Sequence, residues 1–256
     1  MSIENDLVNI SKDRAIDKES FKSLFGLTLE VEKEIIFSIQ NNKKKRLISL
    51  FQLLHPADQA DMLERLSANK LESCLQLLGK ELDSETLVYL DDEVQDDVIE
   101  TIGAKGLARA LPELDTDDAV EILEDLNENE RNVIIKKLPK TERILVEEAF
   151  TFPENSAGRL MQRDFLAFPE FWTVGQTIDH MRKNIYAEEK IFYSIFITDP
   201  KQRILGELSL AKLLSNYRSV RLKDIMQSEF QSVNVSKDQE EIALLFQQYG
   251  LVNLPV

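Results

Sequence analysis

The stretch Leu114-Asp115-Thr116-Asp117-Asp118-Ala119-Val120-Glu121-Ile122-Leu123-Glu124-Asp125-Leu126 decides how the chain is read. It begins and ends on a leucine. Between them Ala119, Ile122 and Leu123 join Leu126 on one stripe of a helix predicted over 117–126, while the carboxylates fall on another face. The same twelve-residue beat runs outward in both directions through Leu54, Leu66, Leu78, Leu90, Ile102, Leu114, Leu126, Leu138 and Phe150. In most units a second pair follows eight and nine residues on, as in Cys74/Leu75, Thr86/Leu87, Val98/Ile99, Ile122/Leu123 and Ile134/Ile135. Such offsets predict a helix of two to three turns and then a tight connection. Repeated without a gap, they predict a superhelix of short helices in which each unit buries its face on its neighbours.

Charge is concentrated in the same region. The 256 residues carry a net −15, and residues 81–130 alone hold 18 acidic and 2 basic side chains, so the rest of the chain is close to neutral. That balance excludes nonspecific binding to a nucleic-acid backbone, which needs clustered lysine and arginine. A single cysteine, Cys74, excludes an internal disulfide and a multi-cysteine zinc site. With only His55 and His180, histidine-based metal chemistry has little support. The first residues have no apolar core and do not read as a signal peptide, and no apolar run reaches the ~20 residues of a spanning helix.

Upstream of the repeats, Phe21, Leu24, Phe25, Leu27, Val31, Ile35 and Ile36 predict a helix within 17–40, and Lys43-Lys44-Lys45-Arg46 reads as a solvated helix end rather than a lipid contact. Downstream, Thr151–Gly158 is rich in turn formers and linker-like. After it Phe165–Phe168, Tyr193–Ile197 and Ile204–Leu208 read as strands, and Thr173–Lys183 and Leu210–Leu214 as helices, giving the order β-α-β-β-α. The opening recurs 65 residues later, where Ile225-Met226 matches Leu160-Met161 and Gln239–Gln248 repeats the first helix.

The span from about 50 to 256 resembles the cytosolic portion of the MgtE magnesium transporter family. The likeness is carried by the acidic repeats, by the junction Ser156-Ala157-Gly158-Arg159-Leu160-Met161, and by Asp238-Gln239-Glu240-Glu241-Ile242-Ala243 followed by Tyr249-Gly250-Leu251 and Leu254-Pro255-Val256. The resemblance implies a multi-domain α then α+β chain, a superhelix of short α-helices followed by tandem CBS units. It divides the chain into an N-terminal helical extension (1–50), an acidic helical domain (51–150), a first CBS unit (151–224) and an incomplete start of a second (225–256). It also implies a homodimer whose own transmembrane pore domain lies outside this sequence, in the cell membrane, with this region on the cytoplasmic side.

The cofactor implied is Mg²⁺, a hard cation that takes oxygen ligands and keeps several waters, so one or two carboxylates per ion suffice and no spacing is diagnostic. Like charges three and four apart on a helix, as in Asp117, Glu121, Glu124 and Asp125, repel by roughly 0.2–0.5 kcal/mol per pair. The positive helix N-terminus accounts for Asp117 and Asp118 but not for carboxylates beyond the first turn. By resemblance, Glu85, Asp117 and Glu121 are Mg²⁺ ligands of the helical side, with Asp118 beside them, and Asp238 and Glu240 are ligands of the CBS side. Gly250 departs from the family pattern, which often has aspartate there. The implied mechanism is feedback: Mg²⁺ bridges acidic faces of the helical and CBS domains and favours the closed pore.

CBS pairs also bind adenine nucleotides, which makes nucleotide sensing the main alternative. The pattern for that is Ser or Thr with an aspartate three residues on. In Ser209-Leu210-Ala211-Lys212 a lysine, which cannot accept a hydrogen bond, takes the aspartate's place. A helical interaction scaffold is a third reading, disfavoured by the β-containing half. No Walker-type phosphate loop or nucleophile elbow supports an enzyme.

Overall fold

A computed structural model describes residues 26–163, 165–183 and 193–256. These residues form two compact units, one built from the chain up to Leu114 with Asp118–Glu147, the other from Asp115–Asp117 with Glu148–Val256. The expected pattern of an α region followed by an α+β region is what the structure has.

The first unit is a succession of short helices: α1 (Leu29–Gln40), α2 (Lys44–Phe51), α3 (Pro56–Glu64), α4 (Ala68–Leu78), α5 (Asp92–Ala110), α6 (Thr116–Glu124), α7 (Glu128–Ile135) and α8 (Lys140–Ala149), with 3₁₀ turns at Gly79–Glu81, Ser84–Tyr89 and Leu111–Glu113. The twelve-residue beat marks their joints. His55, Ser67, Asp91 and Asn127, each the residue after a repeat leucine, are helix N-caps. His55 Nδ1 accepts from the Ala57 N–H at 3.2 Å, and Asn127 Oδ1 accepts from the Glu130 N–H at 3.0 Å. At these two joints the acceptor satisfies an amide that a helix start leaves open, whereas Ser67 and Asp91 occupy the cap position without a side-chain cap bond. Within α5 the beat is kept by Gly103, whose φ of +64° breaks the run into two helices. Only glycine takes that conformation without steric cost.

The second pairs of the repeat form the core. Cys74/Leu75, Thr86/Leu87, Val98/Ile99, Ile122/Leu123 and Ile134/Ile135 are all buried. Thr86 is the one hydroxyl among them, and it donates to Gln59 Oε1 at 3.0 Å. The Gln59 amide in turn donates to the Phe51 and Leu54 carbonyls. Cys74 is likewise enclosed, and burial pushes its thiol up to about 12.

Two helix boundaries differ from expectation. α6 stops at Glu124, because Leu126 and Asn127 already belong to the joint that starts α7. α1 begins at Leu29, where the Thr28 hydroxyl caps it, and Phe21, Leu24 and Phe25 lie outside the described residues. In the basic run Lys43 lies over the Phe37 ring and Arg46 pairs with Glu34 at 2.6 Å, as befits a helix end.

The second unit contains β1 (Ala167–Pro169), α10 (Val174–Lys183), β2 (Ser194–Thr198), β3 (Ile204–Ser209) and α11 (Leu210–Leu214), preceded by the single turn α9 (Ala157–Leu160) and followed by α12 (Gln239–Tyr249). The sheet order is β1-β2-β3, with β1 parallel and β3 antiparallel to β2. β1 starts later than expected. Its pairing opens at the Leu166 carbonyl, which accepts from the Phe196 N–H, and Phe165 is left exposed. Leu166, Phe168, Val174, Ile195, Ile197, Leu208, Leu213 and Leu222 make the core, with Trp172 packed against it. Thr151–Gly158 is turn-rich, as its composition suggests, but Ser156–Arg159 are buried and the stretch is not a free linker.

The β2–β3 turn is held by Asp199, whose carboxylate accepts from the Lys201 and Arg203 amides and pairs with the Arg203 guanidinium. These bonds, the Arg203 amide first, hold its carboxyl below the usual aspartate range. The turn is therefore expected to be fully secured above the ordinary aspartate pKa of about 3.9 and to loosen as pH falls through the lowered value. Amide exchange of 199–204 against pH checks this, and Asp199→Asn flattens the profile. In the first unit Leu123→Ala is expected to cost about 2–5 kcal/mol in urea unfolding, whereas Val133→Ala, at an exposed site, stays within about 0.5 kcal/mol.

Candidate metal centre

The start of α6 gathers carboxylates. Asp115 directly precedes the helix, and Asp117 and Asp118 lie in its first turn. One oxygen from each of the three falls within 4.8 Å of the others, and all three residues are half-buried. Gln162 Nε2 donates to Asp115 Oδ2 at 3.2 Å and to Asp117 Oδ2 at 3.3 Å. The helix N-terminus favours negative charge, by up to about 2 kcal/mol in a partly buried geometry such as this one. Two unit charges at such a separation repel by roughly 1 kcal/mol in water and several times that in a protein-like medium. A hard divalent cation with its waters fits this donor set, since it needs oxygen charge rather than a closed cage.

Of the residues singled out from sequence, Asp117 and Asp118 are thus brought together, and Asp115 joins them. The signal for Asp115 is its place after a repeat leucine, the N-cap position. Glu121 is one turn further along the exposed side of α6 and lies outside this group. Glu85 is exposed in the 3₁₀ turn Ser84–Tyr89, where its N–H donates to Asp83 Oδ1. Asp238 is the N-cap of α12, its Oδ1 accepting from the Glu240 N–H at 2.8 Å, and both residues are exposed. Among the described residues none of these three joins a carboxylate cluster. Gly250 ends α12 in the left-handed conformation at φ +60°, ψ +38°, which explains a glycine at the position where aspartate was expected.

The second unit also has a cavity of about 700 Å³ whose walls include Leu160, Phe165, Tyr193, Phe196, Phe246 and Pro255. Away from these, Ser209 caps α11, its hydroxyl accepting from the Lys212 N–H at 3.2 Å, and the Lys212 side chain is exposed.

Among the described residues an acidic stack of short helices leads into one β-α-β-β-α unit, the α then α+β arrangement of the cytosolic MgtE domains. The MgtE intracellular N domain family matches residues 54–155. The magnesium transporter MgtE of Bacillus subtilis (strain 168) is 25% identical over 222 residues, 87% of this chain and 49% of that protein. The magnesium transporter MgtE of Thermus thermophilus is 30% identical over 223 residues, 86% of this chain and 49% of that protein. The chain therefore spans about half the length of the curated relatives it matches. The crystal structure of the cytosolic domain of the Mg²⁺ channel MgtE in complex with ATP superposes with a TM-score of 0.79 at 28% identity, covering 88% of this chain and 92% of that one. The soluble part of a magnesium transporter gives 0.77 at 23% identity, covering 89% of each chain, and attests the fold alone. Residues 54–155 thus match the MgtE intracellular N domain family, and over most of its length the chain is similar to the cytosolic part of MgtE.

Asp238 carries a separate expectation. Asp238→Ala removes the α12 cap and should cost about 1 kcal/mol, seen as faster amide exchange over 239–243, whereas Asp238→Asn should leave α12 intact. Any effect of the asparagine variant on cation binding then reports charge rather than folding.

Proposed function

We propose that the chain is the Mg²⁺-sensing regulatory region of a magnesium transporter or channel. Mg²⁺ binds the acidic turn at the start of α6, with Glu121 and Glu85 adding charge on the helical side and Asp238 and Glu240 on the CBS side. Ions shared between the two acidic faces favour a compact arrangement, and that arrangement favours a closed pore. The pore, in the cell membrane and supplied by the rest of the protein, would thereby be shut by cytoplasmic Mg²⁺. Pairing through the CBS units into a homodimer belongs to the same reading.

The observation that carries it is the half-buried Asp115–Asp117–Asp118 group in the most acidic segment of the chain. Similarity to relatives named as magnesium transporters supports it. A ligand moves such an equilibrium only through its preference for one state, and full switching needs about 10⁴-fold, which several weak sites supply together.

Adenine-nucleotide sensing is the second reading. It is supported by the related cytosolic domain solved with ATP and by the cavity of about 700 Å³ in the second unit. Lys212 opposes it, because it brings no acceptor for ribose hydroxyls.

Thermal unfolding of the full chain separates the two. Mg²⁺ at a hundredfold excess over its dissociation constant is expected to stabilise by about 2.7 kcal/mol per site, well beyond NaCl at matched ionic strength. Equal shifts with the two salts would remove the claim of specific sites, and a shift with ATP alone would promote the second reading. Asp117→Asn with Glu121→Gln should raise the Mg²⁺ midpoint while leaving the apolar stripe of α6, and hence the fold, intact. An unchanged midpoint would make this face a merely solvated one.

A further inference from the structure

The Ser156–Met161 motif lies between the end of α8 and the segment that opens α12. The last turn of α8 is bound into the second unit: Glu148 pairs with Arg163 at 3.2 Å, and Ala149 is buried. The chain then turns tightly, with the Thr151 and Phe152 amides donating to the Glu148 and Ala149 carbonyls. Arg159, only 8% exposed, closes the turn, for its guanidinium lies 4.7 Å from the Phe150 ring centre and donates to the Phe152 carbonyl at 3.0 Å. Gly158 lets the Phe152 ring sit against the backbone, where an added Cβ would come within 2.6 Å of the ring.

On its other side this turn is tied to the segment that opens α12. The Ala157 and Gly158 amides donate to the Lys237 and Val235 carbonyls, both at 2.7 Å, and the Gln239 amide donates to the Asn155 carbonyl at 2.8 Å. Ser156 and Asp238 form a β-bridge, and Asp238 is the α12 cap.

We propose that residues 148–160 are a clamped lever, not a hinge, passing displacement of the α8 end directly to Val235–Gln239 and the cap of α12. Close-packed interiors transmit such strain rather than absorb it. Rotation between the helical and CBS-type parts is then taken up before Glu148. The lever rests on the Mg²⁺-sensing reading only for the signal that moves it.

Hydrogen–deuterium exchange on the full chain tests it. Without Mg²⁺, the hydrogen-bonded amides of 151–152 and 157–160 should exchange at least about 100-fold more slowly than in an unstructured peptide. Arg159→Ala and Gly158→Ala should each speed exchange about tenfold over both 150–160 and 235–241, leaving Ala119–Leu123 unchanged. With the proposed ligands there removed by Asp238→Asn and Glu240→Gln, Mg²⁺ should still alter exchange over 235–241, and should no longer do so when Arg159→Ala is added. Fast exchange of the hydrogen-bonded amides of 151–152 and 157–160 in the wild type would overturn the lever, and so would a Mg²⁺ response at 235–241 that survives Arg159→Ala in that background. Absence of any Mg²⁺ binding would overturn the sensing reading instead, and the Mg²⁺-free comparison would then decide the lever alone.

Discussion

Helix length is the constraint on which the first unit depends. α3, α6 and α7 have 9, 9 and 8 residues, short of the roughly 12–15 that an isolated helix needs in water. In a helix that short most amides and carbonyls lie within four residues of an end and have no partner inside it. Two things help such helices persist: the buried pair that docks them and, at His55 and Asn127, a side-chain cap that closes the helix start. The buried pair recurs every twelve residues, and so does the N-cap position. The leucine beat and the His55, Ser67, Asp91 and Asn127 caps are one pattern seen from the core and from the joint.

That economy bears on charge. Many short helices mean many N-termini, each of which tolerates a carboxylate better than any other part of a helix. A chain built this way can carry 18 acidic residues in 81–130 without sacrificing its core, because the core positions are a separate set. At α6 the same logic overshoots. Asp115, Asp117 and Asp118 put three carboxylates at one N-terminus, the group on which the proposed Mg²⁺ site rests.

Much of this is legible in the sequence because periodicity is a local signal. The repeat leucines, their second pairs and the β-α-β-β-α order follow from spacing and residue type. Where sequence and structure part, the cause is mostly a partner distant in sequence. Thr151–Gly158 looks like a linker by composition, yet Lys237 and Val235 pair with it from some eighty residues away. Asp115 passes for a repeat neighbour until Gln162 is seen beside it. Asp238 stands out as acid by type, but its carboxylate is engaged as a cap. Gly250 reads as a missing ligand, and its backbone conformation supplies a reason of its own.

The enclosure of Cys74 has a practical side. It is the chain's one thiol, it is wholly out of solvent, and a pKa of about 12 leaves almost none of it as thiolate near neutral pH. Oxidants and alkylating reagents act on the thiolate, so the native chain should be chemically silent towards both. Cysteines placed at exposed positions such as Val133 or Tyr217 would then accept spin labels or fluorophores without a background from the wild-type residue. Distances between the two parts of the molecule thereby become measurable in solution on an otherwise unaltered protein.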